Sequence, residues 1–180
     1  MKTTFLLIGF SLLLVSCQPS GQNETETNIT EELTISLESI TSTYDSIQYG
    51  PLYSLSADVY DQYEWFKQNY KDTTNRSFWI TELSDLQIVE RSIRKARGDS
   101  TSIADELILS RSQLVSLKDS YLNGSLDSLS FHTYLFDEEN AMQELNRKIR
   151  LRHLETNEGL EKWAKLKPIL DSTRNYISNQ

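Results

Sequence analysis

The chain of 180 residues contains one cysteine, three prolines, six glycines and two histidines. A single cysteine excludes an internal disulfide and any cluster of thiolate metal ligands. The histidines, His132 and His153, stand about 31 Å apart if one helix carries both, too far to share a metal ion. No Glu-x-x-His pair occurs, which removes the di-iron pattern of helical bundles. There is neither a glycine-rich phosphate loop nor a Gly-x-Ser-x-Gly elbow. No cofactor, no metal and no catalytic residue are therefore expected, and the chain reads as a non-enzyme. The same shortage of proline and glycine leaves room for long uninterrupted elements.

The N-terminus is rich in signal. Met1-Lys2-Thr3-Thr4 precedes an apolar run from Phe5 to Val15. A positive charge followed by a short apolar stretch is the anatomy of a secretory signal peptide. The run falls short of the roughly 20 residues that a membrane span needs. It ends in Leu14-Val15-Ser16-Cys17. This order, an aliphatic residue, two small or β-branched ones and a cysteine, resembles a bacterial lipobox. The resemblance implies a signal peptide over 1–16, lipid on Cys17, and a membrane partner reached through that lipid. It implies a place in the cell envelope. Gln18, where an aspartate would imply inner-membrane retention, implies the outer membrane rather than the inner.

Residues 17–32 carry one large apolar side chain, Ile29, and read as a flexible tether. Removing residues 1–16 leaves 17 Lys and Arg against 26 Asp and Glu, a net charge of about −9. Such a body is a poor match for nucleic acid, whose phosphates need clustered positive charge. Lipobox, polar tether and small acidic domain together resemble the small lipoproteins of Bacteroidetes.

Residues 33–180 have helical periodicity throughout. Leu33, Leu37, Ile40, Tyr44 and Ile47 make one stripe, which Gly50-Pro51 ends or kinks. A second helix starts near Ser56 as N-cap and carries Leu55, Val59, Tyr63, Phe66 and Tyr70. A third carries Trp79, Leu83, Leu86 and Ile93 and stops at Gly98 behind Arg94, Lys95 and Arg97. A fourth carries Ile103, Leu107, Ser110, Leu114, Leu117 and Tyr121, up to Asn123-Gly124. A fifth carries Phe131, Leu135, Glu138, Met142, Leu145 and Ile149. A last one carries Leu160, Trp163, Leu166, Leu170 and Ile177, with Pro168 kinking it or marking its start. The expected fold is all-α, an antiparallel bundle of about four to six helices.

Three features suggest places of contact. Trp65 falls among Asp58, Asp61, Gln62 and Gln68, away from its helix's apolar stripe. It is either covered by the N-terminal helix or a loop, or it meets a partner with help from Tyr60 and Glu64. The fourth and fifth helices should pair antiparallel, with facing numbers summing to about 249. That register sets Glu138 in the apolar seam opposite Ser110 and Arg111. Glu138 is then expected to pair with Arg111, to bond Ser110, to sit where the seam is open to water, or to line a ligand site. Finally, Asp-Ser or Asp-Thr pairs followed by an aliphatic residue or threonine recur, as at Asp45, Asp99, Asp127 and Asp171. They resemble the motif that Bacteroidetes glycosylate on exported proteins, and they equally suit helix caps. The sequence thus suggests a lipid-anchored bundle that binds or scaffolds another envelope protein. A small-molecule or glycan site between aromatic-rich helices is the alternative.

Overall fold

A computed structural model describes residues 20–71 and 75–179. The expected signal peptide and Cys17 lie outside the described residues. Among those described, the fold is all-α, with six helices. They are α1 (Ser20–Asp45), α2 (Tyr49–Ser54), α3 (Ser56–Asn69), α4 (Arg76–Ile80), α5 (Glu82–Leu122) and α6 (Ser128–Ser178).

The frame is the antiparallel hairpin of α5 and α6, 41 and 51 residues long. At 1.5 Å per residue they run about 60 and 75 Å. The turn between them works because Gly124 takes φ +75°, a left-handed conformation that costs glycine little. Asp127 caps α6 by accepting a 2.9 Å bond from the Ser130 amide. Cross-hairpin ion pairs hold the expected register, with Lys95 2.6 Å from Glu155 and Lys148 2.9 Å from Glu106.

The remaining helices cover the hairpin in two halves. α1 packs near the turn, antiparallel to α5. There Leu37, Ile40 and Ile47 join Ile103, Leu107, Leu114, Met142, Leu145 and Ile149 in one apolar cluster. A smaller cluster at the turn combines Leu117, Tyr121, Phe131 and Leu135. α2, α3 and α4 pack on the far half, around Leu52, Val59, Phe66, Leu86, Val89, Trp163 and Leu170.

Several boundaries differ from the sequence expectation. Residues 20–32 of the expected tether are helical. Ile29 and Leu33 lie against the cluster at the turn, and Thr30 is buried. One isoleucine suffices because the hairpin supplies the other side of the contact. Gly50-Pro51 does not end a helix. α1 stops at Asp45, and Pro51 sits in the first turn of α2, where its missing N–H has no intrahelical partner to lose. Ser56 opens α3 but does not cap it; the cap position is Leu55, which makes no side-chain bond.

Gly98 does not stop a helix either, and the third and fourth expected helices are one. A mid-helix glycine costs about 1 kcal/mol. Around it the Tyr44 hydroxyl donates to the Ser100 carbonyl at 2.9 Å, and the Tyr53 hydroxyl lies 3.0 Å from the Ala96 carbonyl. Buried Ala96 and Ile103 continue the stripe across the gap. The fifth and last segments likewise fuse, with Pro168 inside α6. Pro168 and Ala164 are both exposed, so the carbonyl deprived of its donor can turn to water.

Candidate functional site

At 100° per residue, the buried stripe of α5 has two flanks. Ala104, Ile108, Arg111 and Lys118 lie on the flank toward α1, where Lys118 meets Glu31 at 2.8 Å. Leu109, Ser112, Ser116 and Ser120 lie on the other. Among the described residues, no helix covers that second flank. A groove of about 630 Å³ runs along it, between α5 and the Tyr134, Asp137, Glu138 and Ala141 positions of α6, and reaches Leu126 in the turn. Serines at every fourth position keep the α5 wall low, with Leu109, Leu117 and Leu126 as apolar lining.

Glu138 forms part of the groove's inner wall. It is only 6 % exposed, and its Oε1 has no hydrogen-bond partner. It interrupts the stripe between Leu135 and Met142, where the two apolar clusters of this half part. The hairpin register is as expected: Leu107 shares a cluster with Met142, and Leu117 with Phe131. Leu114 and Leu135, expected to meet, are both buried but belong to different clusters. The expected ion pair is not formed. Arg111 is exposed on the α1 flank, beside Thr41 and Tyr44. Ser110 gives Glu138 no bond either. The seam opens here, as the groove, yet one carboxylate oxygen is left dry and unpaired. A buried unsatisfied polar atom costs about 1–3 kcal/mol, more if charged.

The other expected contact residues do not form one patch. Trp65 is half-buried, packed edge-on to Phe66 at 5.0 Å between ring centres. Among the described residues the Arg174 guanidinium of α6 covers it, 5.2 Å from the ring centre. Glu64 lies 3.5 Å from Lys67. Tyr60 is exposed about 140° around α3 from Trp65, beside Glu90 and Arg94. The aromatic rings around α3 and α4 pack on one another: Tyr70 and Phe78 stand 4.7 Å apart and Phe66 and Phe78 5.7 Å, and the outer edges of Tyr70 and Phe78 line, with Asn75, Thr173 and Tyr176, an open cavity of about 710 Å³.

A second polar cluster had no counterpart in the sequence reading. Glu26 of α1 is buried, with Oε1 3.5 Å from His132 Nε2 and Oε2 unpartnered. It stands beside Tyr121, whose hydroxyl pKa is raised by burial first and by the Glu26 carboxylate second. This cluster pins the start of α1 to the hairpin's turn.

No group of side chains able to hold a metal ion occurs among the described residues. None of the described helices is long and apolar enough to cross a membrane. Of the Asp-Ser/Thr pairs, Asp127 caps α6, whereas Asp99 and Asp171 lie inside helices.

No protein family, curated protein or solved structure matches this chain.

Proposed function

We propose that this is a lipid-anchored envelope protein that binds another envelope protein through the groove beside Glu138. The observation that carries the reading is the buried, unpaired Glu138 oxygen in the wall of an open groove. A partner that brings an N–H donor or a cation there satisfies an atom the chain leaves unsatisfied. The small residues of the wall, Ser112, Ser116, Ser120 and Ala141, let another helix approach closely. From Leu109 to Ser120 the wall is about 16 Å long, three turns of such a helix. The groove's volume also suits a small molecule. Its single aromatic side chain, Tyr134, favours the protein partner over a sugar. The anchor reading rests on the lipobox resemblance at Cys17.

A photo-crosslinking residue placed at Ser116 tests the groove in intact cells. The expected result is one discrete adduct, lost when Glu138→Arg is added. Adducts indifferent to Glu138 would refute the reading. Fatty-acid labelling tests the anchor: label should enter the wild-type protein and disappear with Cys17→Ser.

A further inference from the structure

We propose that the α5–α6 turn is a membrane-contacting tip, with Leu122, Leu126 and Leu129 seated in the interface of a zwitterionic bilayer. The proposal rests on lipid at Cys17 and goes beyond it, because an anchor alone leaves the domain's orientation free.

The first argument is one of position. Ser20 is three residue steps on from Cys17, a reach of at most about 10 Å. α1 runs antiparallel to α5, with Tyr44 bonded to Ser100, Glu31 to Lys118 and Glu26 beside Tyr121. Its N-terminus therefore points past the hairpin's turn. From Glu26 back to Ser20 the helix advances about 9 Å, and from Tyr121 to the turn at Gly124 α5 advances about 5 Å. Anchor and turn leave the bundle at the same end and at similar height.

The second argument is the chemistry of the turn. Leu129 is 80 % exposed and Leu122 49 %, with half-buried Leu126 between them. Leu122 and Leu129 are thus open to solvent on either side of Leu126, which rests partly on the apolar cluster at the turn. Several of the polar groups around them are bonded from within. Gly124 N donates to the Tyr121 carbonyl at 3.1 Å and Leu126 N to the Ser120 carbonyl at 3.0 Å. Ser125 N donates to Asn123 Oδ1 at 2.9 Å, and the Ser125 hydroxyl to the Ser120 carbonyl at 3.0 Å. Leaving water is costly for a turn chiefly through its free amides and carbonyls, and those bonded here are spared that cost. Asp119 and Asp127 flank the leucines, so the tip suits neutral headgroups better than anionic ones.

The test uses the mature acylated protein in phosphatidylcholine vesicles. Leu129→Cys supplies one free thiol for an environment-sensitive fluorophore, and Tyr176→Cys, exposed at the far end of α6, supplies the control. Flotation and the mass of the acylated N-terminal peptide report the anchor separately. The expected result is blue-shifted emission at position 129, quenched by spin-labelled phosphatidylcholine, with water-like emission at position 176. Vesicle-bound, acylated protein with water-like emission at both positions would overturn the tip while leaving the anchor intact. An unacylated Cys17 would overturn both.

Discussion

The Cβ that Gly159 lacks would stand 3.1 Å from the Cβ of Ser92, so the two long helices meet there with almost no side chain between them. A larger residue must push α5 and α6 apart. Overpacking of this kind costs about 1–3 kcal/mol. Gly159→Leu should therefore lower the melting temperature by roughly 2–12 °C, given about 2–4 °C per kcal/mol for a domain this size. Gly98 is the contrast, since a Cβ there meets nothing within 4 Å. Gly98→Ala should raise stability by up to about 1 kcal/mol. Thermal unfolding followed by helical circular dichroism measures both.

Glu138 should behave as a residue kept at the expense of stability. Glu138→Leu replaces an unsatisfied buried carboxylate with an apolar side chain of similar size in an apolar stripe. The expected change is a gain of about 1–3 kcal/mol in chemical unfolding, together with loss of the Ser116 crosslink. A comparable loss of stability would mean that the carboxylate has a partner within the chain.

Tyr49 gives a pH signature. Burial, then the neighbouring Tyr44 and Tyr53 rings, push its pKa up to about 12 from the usual 10.0. Its hydroxyl has no hydrogen-bond partner. Unfolded chains lose this proton near pH 10 and folded ones near 12, so the unfolded state binds fewer protons between those values. Stability should fall as pH rises through that window. Tyr49→Phe should flatten the decline and change little at pH 7. Absorbance at the phenolate band, wild type against variant, assigns the high-pH step.

Trp65 and Arg174 form a stacked pair whose two members should respond differently to truncation. Trp65→Ala removes a half-buried ring from the far core and should cost about 2–4 kcal/mol. Arg174→Ala should instead leave the fold intact and make Trp65 more accessible to acrylamide. Absence of that change, measured with Trp79 and Trp163 replaced by phenylalanine, would show that the guanidinium does not shield the ring.

The apolar stripes were legible residue by residue. Ile103, Leu107, Ser110, Leu114, Leu117 and Tyr121 face inward on α5, as do Phe131, Leu135, Glu138, Met142, Leu145 and Ile149 on α6. Period alone fixes such faces. The breaks were harder to read, because Gly98 and Pro168 are local penalties of about 1 and 3 kcal/mol set against packing that comes from other parts of the chain. The same holds for residues 20–32, whose composition looks disordered until the hairpin's surface is beside them. At the candidate site the register placed Glu138 in the seam. It could not show that Arg111 turns to the α1 flank, since that depends on which side α1 packs. The serines at 112, 116 and 120 were visible as a spacing, and only the uncovered face gives them meaning.

The length of α6 sets a distance as well as a shape. Glu138 and Arg174 lie on one continuous helix, about 54 Å apart along its axis. A folded domain of 100 residues has a radius of gyration of about 13 Å. No single small partner can touch both the groove and the Trp65 end. Anything that docked at one would be held at a fixed remove from the other, a distance that the length of α6 alone sets.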